Sequence, residues 1–300
     1  MLRTTLACNQ RCPFCFVPHE GRHIPLADIE ASLEAAKASL KPGTSMTISG
    51  GEPLVDPRLE RILSSARKRG IREFTLQTNM IGLGQPDRFA RLVRLGVSRF
   101  DASFHSHIPS RYNAITGSAG LFPKAVEGLK ALAGNGSIQV SLCVLLTKLN
   151  YQDLPALMGF FGKLQKEHRP SRALPLEISF SLMNGAGMNT ASRMAVDLGL
   201  AAPFVWEAIQ RCLKEGLKPL RFDGEGAVPP CILPKPADYA CVCRFSQDRV
   251  RYAVDFSGET GSVGRAKKPA CRRCPYDLRC LGVPAEYARL FGLKALRPPC

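Results

Sequence analysis

Six times between residues 2 and 215, a short apolar segment of strand character is followed by a longer segment of helical character. No other feature constrains the fold as tightly. Strand character falls at Leu2–Ala7, Thr44–Ser49, Glu73–Thr78, Ser98–Phe104, Ile138–Leu146 and Leu176–Leu182. Helical character falls at Leu26–Leu40, Arg58–Arg69, Gln85–Leu95, Leu121–Ala133, Tyr151–Lys166 and Ala202–Glu215. The first helical stretch, LADIEASLEAAKASL, sets apolar residues at helical spacing among strong helix formers. Successive strands joined through a helix lie parallel, with right-handed connections. The expected fold class is therefore α/β, a partial (β/α)6 TIM-like barrel. At 300 residues the chain accommodates one such domain and an appendage. After about Pro219 the texture changes. Pro229, Pro230, Pro234 and Pro236 break the chain and cysteines become dense. A core over 1–218 and a C-terminal cysteine-rich extension over 219–300 are expected.

The chain has 12 cysteines. The start, MLRTTLACNQRC, shows no long apolar segment or small-residue cleavage site, and no run of 18 apolar residues occurs anywhere. Neither a signal peptide nor a membrane span is expected, which points to the reducing cytoplasm. There, clustered cysteines indicate metal rather than disulfides. The formal charge is +16, with basic clusters at Arg67–Lys68–Arg69, Lys267–Lys268 and Arg272–Arg273. Such charge suits an anionic partner or an ordinary solvated surface. Without a nucleic-acid motif, nucleic acid is not an expected partner.

Cys8-Asn-Gln-Arg-Cys12-Pro-Phe-Cys15 has the spacing C-x3-C-x2-C and directly follows the first strand. Three thiolates on a four-iron cluster leave one iron free to bind a chelating ligand. Structural zinc would need a fourth ligand, for which His19 and His23 are the nearby choices. Gly50-Gly51-Glu52-Pro53 follows the second strand, Thr78-Asn79 the third, and Ser103-Phe104-His105 closes the fourth. β/α barrels build their sites at these strand ends. Paired glycines admit close backbone approach to a ligand, and polar strand ends also serve as turns and caps.

Together these motifs resemble the radical S-adenosylmethionine (SAM) superfamily. The resemblance rests on C-x3-C-x-Φ-C, with Phe14 as the aromatic, and on the GGEP run, and it covers about residues 1–185. It implies a [4Fe-4S] cluster on Cys8, Cys12 and Cys15, with SAM on the open iron. It places Phe14, Gly50, Gly51, Glu52, Pro53, Asn79, Ser103 and His105 around SAM. Glu52 and the glycine peptides would face the methionyl ammonium, a charge-assisted contact. Asn79 and Ser103 would meet the ribose or the methionyl carboxylate. His105 and His107 either face the cavity or pack, and Asn184-Gly185-Ala186-Gly187 would border the adenine. The implied chemistry is reductive cleavage of SAM to a 5′-deoxyadenosyl radical that abstracts hydrogen from substrate. The electron would come from a flavodoxin or ferredoxin.

The tail run Cys271-Arg-Arg-Cys274-Pro-Tyr-Asp-Leu-Arg-Cys280 is C-x2-C-x5-C. It resembles the cluster segment of SPASM or twitch-type members. Pro284 stands where a full SPASM run carries a further cysteine, so one auxiliary [4Fe-4S] cluster is expected. Cys231 is the first choice as fourth ligand, with Cys241 and Cys243 as alternatives; a four-cysteine zinc site fits the same spacing. Cys241, Cys243, Cys300 and His105 are the catalytic candidates, while Cys143 and Cys212 read as packing residues. This resemblance implies a peptide or protein substrate, modified by crosslinking, epimerisation or oxidation. Because the first strand begins at once, a separate recognition protein or leader-free recognition is expected. The second expectation is a small-molecule enzyme of cofactor, sugar or nucleotide biosynthesis. RNA modification ranks behind it, for want of an RNA module. A non-catalytic metal-binding scaffold is the reading of another class; the intact cysteine trio with Glu52 argues against it.

Overall fold

The computed structural model describes residues 1–37, 43–183, 191–219, 228–234, 264–278 and 280–298. The 184–187 segment, Cys241, Cys243 and Cys300 lie outside them. Seven strands form one sheet: β1 (Leu2–Thr5), β2 (Ser45–Gly50), β3 (Glu73–Thr78), β4 (Val97–Ser103), β5 (Gln139–Leu145), β6 (Glu177–Ser181) and β7 (Lys218–Pro219). Their spatial order is their chain order and every neighbouring pair is parallel. Right-handed crossovers in strictly sequential order put all connecting helices on one face, so the sheet curls as a barrel does. The expected partial barrel is what forms, with one two-residue strand more than the six expected. It does not close: among the described residues, β1 and β7 are edges.

The helices are α1 (Leu26–Lys37), α2 (Leu59–Lys68), α3 (Pro86–Arg94), α4 (Pro109–Thr116), α5 (Phe122–Gly134), α6 (Leu154–His168) and α7 (Leu198–Lys214). α2 shows why these segments are helical. Its buried residues, Leu59, Ile62, Leu63 and Ala66, follow the i, i+3, i+4, i+7 stripe. Glu60 lies in its first turn and Arg67 and Lys68 in its last, complementing the helix dipole. The Arg67–Lys68–Arg69 cluster is thus a helix end, and Arg69 pairs with Glu30 and Glu34 of α1. α7 begins four residues earlier than its sequence suggests, because Asp197 caps it by accepting from the Gly199 N–H at 2.6 Å. α4 was not expected. Its sequence, PSRYNAIT, carries no apolar stripe. No helix among the described residues is long and apolar enough to cross a membrane.

The sheet has two unlike faces. Ile48, Phe74, Leu76, Phe100, Ala102, Val140, Leu142, Val144, Ile178 and Phe180 are all at most 3% exposed and belong to the hydrophobic core. The register carries the other face: Gln77 pairs with Asp101, Asp101 with Ser141, Ser141 with Glu177 and Glu177 with Lys218. One level nearer the C-terminal strand ends, Ser103 pairs with Cys143 and Cys143 with Ser179. Period-two alternation therefore gives the barrel a polar concave wall. Cys143 lies on that wall, half-buried, with its sulfur accepting from the Ser179 hydroxyl at 3.2 Å; it is not the packing residue expected. Cys212, wholly buried in α7, is.

In the tail, β8 (Arg265–Ala266) and β9 (Val283–Pro284) pair antiparallel, and α8 spans Ala285–Phe291. Val228, Ile232, Val283, Tyr287 and Leu296 join the same core as the barrel. The Tyr287 hydroxyl accepts from the buried Leu198 N–H at 2.8 Å, capping the start of α7.

The two-faced sheet makes opposite expectations for neighbouring substitutions. Leu142→Ala, on the fully buried helix-facing side, is expected to cost about 2–5 kcal/mol through lost burial and a cavity. Gln77→Ala, exposed on the concave side where it accepts from the Ser49 hydroxyl at 2.8 Å, is expected to change stability by about 0.5 kcal/mol or less. Urea unfolding of both variants checks the contrast; equal losses would contradict the face assignment.

Candidate active site

β1 delivers the chain at Thr5 into a loop that carries Cys8, Cys12 and Cys15. The end of β2 holds that loop in place by backbone alone. The Gly51 N–H donates to the Thr5 carbonyl at 2.7 Å and the Glu52 N–H to the Ala7 carbonyl at 2.8 Å. A Cβ on Gly50, whose φ is +150°, would lie 2.4 Å from the Thr5 carbonyl oxygen; one on Gly51 would lie 2.2 Å from that of Ala7. No side chain fits, which is the immediate reason for two glycines here.

Glu52 is 1% exposed and accepts three hydrogen bonds. Leu54 N–H and the Thr78 hydroxyl donate to Oε1 at 3.0 and 2.7 Å, and Asn79 N–H donates to Oε2 at 2.6 Å. Burial nevertheless dominates and pushes its pKa up to about 7. Asn79 extends the link: its Nδ2 donates to Asn9 Oδ1 in the thiol-bearing loop at 2.6 Å, and its Oδ1 accepts from Ile81 N–H. Pro53, buried, starts the short turn that Glu52 caps.

The three thiols converge. Burial pushes Cys8 up to about 11 and Cys12 up to about 12, and each also feels the negative field of its neighbours: Cys8 that of Glu52 and Cys15, and Cys12 that of Cys15 and Cys8. Burial raises Cys15 too, partly offset by Arg3. Buried sulfurs crowded in this way become thiolates only against a compensating positive charge, which bound iron provides. The donor set, three soft sulfurs, suits an iron–sulfur cluster. Among the described residues, no three His, Cys, Asp or Glu groups are arranged to hold a single metal ion. His23 does not turn to the thiols; its Nδ1 lies 2.8 Å from the Thr5 hydroxyl and 3.8 Å from Asp56. His19 joins no such group.

Phe14 meets His105 edge-on, with ring centroids 5.6 Å apart. His105 Nδ1 accepts from the Leu145 N–H at 3.2 Å, which places the proton of the neutral ring on Nε2. Burial pulls its pKa down to about 4, so the ring is neutral at physiological pH. His105 therefore ties the ends of β4 and β5 to the thiol loop. His107 stacks on Phe160 of α6, in the helical layer. Ser103 is half-buried at the end of β4, on the concave wall.

A second set of thiols gathers in the tail. Cys231, on a short turn at Pro230–Ile232, comes together with Cys271, Cys274 and Cys280 around a small cavity of about 20 Å³. Lys267, Tyr276 and Asp277 also line it. Burial raises Cys231 to about 11, and the three other thiols add to the rise. The β8–β9 pairing brackets the loop that holds Cys271, Cys274 and Cys280.

Sequence reasoning missed Gln10 and Tyr112. Gln10, 5% exposed, donates from Nε2 to the Tyr112 hydroxyl of α4 at 2.8 Å. It missed the concave wall as well. Strict polar alternation in FDAS, QVSLC and EISFS was the available signal, since a parallel strand covered on both faces reads as continuously apolar.

Residues 2–161 match the family model of the Radical SAM superfamily. Molybdenum cofactor biosynthesis protein 1 of Bos taurus is 30% identical over 184 residues, 59% of this chain and 27% of that protein. A probable GTP 3′,8-cyclase of Sulfurisphaera tokodaii is 31% identical over 162 residues, 53% of this chain and 51% of that protein. The chain thus spans about half the length, or less, of these curated relatives. Among solved structures, Streptococcus suis SuiB bound to precursor peptide SuiA superposes with a TM-score of 0.61 at 15% identity, over 98% of this chain and 74% of that one. The enzyme anSMEcpe with bound AdoMet gives 0.56 at 12% identity, over 74% and 64%. At such identities the structural likeness speaks for the fold.

The raised pKa of Glu52 sets a pH dependence. Between the ordinary value of 4.5 and about 7 the folded protein keeps a proton that the unfolded chain has released. Stability of the metal-free chain therefore falls as pH rises across that window, by about 3 kcal/mol in all. Glu52→Gln is expected to flatten this slope, and to cost about 1–3 kcal/mol because its NH2 would face the Asn79 N–H; denaturant titrations at several pH values check both. Gly51→Ala, whose Cβ has no room, is expected to displace Cys8 and lower iron bound at the N-terminal thiols, measured by iron analysis after anaerobic reconstitution. With three converging thiols set against a glycine–glutamate turn at the mouth of a partial barrel, and the family match running through both, this chain belongs to the radical SAM superfamily.

Proposed function

We propose that this chain cleaves SAM reductively and directs the resulting radical at a small polar molecule of the cofactor or nucleotide class. The observation that carries the SAM reading is the backbone docking of Gly50-Gly51-Glu52 onto the loop of Cys8, Cys12 and Cys15. Those thiols would hold the cluster that supplies one electron to SAM, releasing methionine and a 5′-deoxyadenosyl radical that takes hydrogen from substrate. Glu52 would meet the methionyl ammonium, and that cation would favour its charged form. Asn79, whose main-chain N–H donates to Glu52, and Ser103, at the end of β4, would meet the ribose or carboxylate. Phe14 and His105 pack edge-on against each other and would support the loop from beneath.

The substrate reading departs from the peptide that the tail first suggests. The relatives matched by sequence are named GTP 3′,8-cyclases and a molybdenum cofactor biosynthesis protein. A small polar substrate also fits the concave wall, where Asp101, Ser103, Ser141, Ser179 and Arg99 offer hydrogen-bonding groups. A peptide remains the second reading, because the likeness to a peptide-bound structure runs through the tail as well as the barrel. In either case Cys231, Cys271, Cys274 and Cys280 would hold one auxiliary cluster. Four thiols leave it no open iron, which suits passing electrons rather than gripping substrate. The barrel core over 1–218 and the extension over 219–300 would divide these tasks.

Anaerobic incubation with dithionite and SAM tests the proposal. The chain is expected to form 5′-deoxyadenosine, and Cys12→Ala to form none; failure of the unaltered chain would favour the scaffold reading. Adding GTP and other nucleotides, and in parallel a ribosomal peptide pool, decides the substrate class by which component changes mass. Iron content should be about eight per chain, falling to about four in Cys231→Ala. Zinc at the tail thiols would refute the auxiliary cluster.

A further inference from the structure

One residue of the thiol loop touches two of its three sulfurs. The Gln10 main-chain N–H donates to the Cys8 sulfur at 3.4 Å. Its side-chain Oε1 accepts from the Cys12 thiol at 3.7 Å, while Nε2 donates to the Tyr112 hydroxyl at 2.8 Å. The side chain is therefore a strut between α4 and a cluster sulfur. Both ends of the strut are fixed. Tyr112 is fully buried, with the rings of Phe104 and Phe122 each 5.4 Å away. Next to Gln10, the Arg11 N–H donates to the Thr116 carbonyl at 3.1 Å, and its guanidinium reaches the Cys8 and Gln10 carbonyls at 2.9 and 3.2 Å. α4 ends at Gly117, φ +58°, where a Cβ would lie 2.1 Å from the Arg11 carbonyl oxygen. The short helix is thus clamped directly onto the loop.

The direction of this bond chain depends on what the sulfur carries. A thiol donates to Oε1. A sulfur bound to iron has no proton and only accepts. A half-turn of the amide exchanges N and O at the same two positions, and a tyrosine hydroxyl donates as readily as it accepts. In the reversed chain the Tyr112 hydroxyl donates to Oε1 and Nε2–H donates to the Cys12 sulfur, with no polar group left unpaired. We propose that Gln10, anchored by Tyr112, is a positioning residue that gives an amide N–H to the iron-bound Cys12 sulfur and so raises the potential at which the cluster takes its electron. An added electron makes the sulfurs more negative, and a donor aimed at one of them stabilises that state. The inference rests on the cluster's place at Cys8, Cys12 and Cys15 and is independent of the substrate.

The test uses the full chain, reconstituted anaerobically, in a redox titration followed by electron paramagnetic resonance. The signal that SAM perturbs reports the N-terminal cluster and separates it from an auxiliary one. Gln10→Met keeps the length and burial of the side chain but offers no N–H. At unchanged iron content its ratio of reduced to oxidised cluster is expected to be about tenfold lower at the same poise, a shift of about 59 mV to more negative potential for one electron. An unchanged midpoint overturns the proposal. Tyr112→Phe leaves Gln10 in place and removes only its anchor; it is expected to shift the midpoint the same way by less. If Gln10→Met fails to hold iron, Tyr112→Phe decides, and an unmoved midpoint there overturns the proposal. A wild-type chain that holds iron but shows no SAM-perturbed signal overturns the cluster assignment and the proposal with it.

Discussion

A carboxylate with no access to water organises the mouth of this barrel. Glu52 closes β2, yet its oxygens are occupied by Leu54 in its own turn and by Thr78 and Asn79 at the end of β3. Burying a carboxylate is costly, and its hydrogen bonds offset only part of that cost. The strand ends are thereby drawn to one point, and Asn79 passes the constraint on to Asn9. A ligand ammonium would supply the charge that the protein withholds.

The thiol loop is held by main chain more than by side chains. Two backbone hydrogen bonds from the β2 turn and one between Arg11 and Thr116 grip it from opposite sides. Each grip needs a glycine at the point of closest approach, Gly51 on one side and Gly117 on the other. Such contacts fix the backbone from which the three cysteine side chains project.

Several elements were readable from residue order because their signal is local. The six strands, the longer helices and the cysteine spacing depend on periodicity and composition within a dozen residues. α4 escaped because eight residues without an apolar stripe look like loop, and its stability comes from Tyr112 and from the loop it clamps. α7 started early because Asp197 caps a first turn that begins at Leu198, ahead of the stretch whose composition reads as helical. Cys231 could be ranked first among possible partners of the tail cysteines, yet its meeting with Cys271, Cys274 and Cys280 depends on a tail folded back on the barrel core. Cys143 was misjudged since an apolar strand in isolation does not reveal that one of its faces joins the polar concave side of the sheet.

Local chemistry was therefore decided along the chain. Three thiols within eight residues, two adjacent glycines before a glutamate, and alternating strand and helix each state their requirement in their own few positions. What folding alone decided was convergence: that Glu52 is dehydrated, that Gln10 reaches Tyr112 across 102 residues, and that polar residues of five strands share one concave wall. Those outcomes follow from long-range packing of a parallel sheet, where register and burial assign each side chain its surroundings and no window of sequence contains both partners.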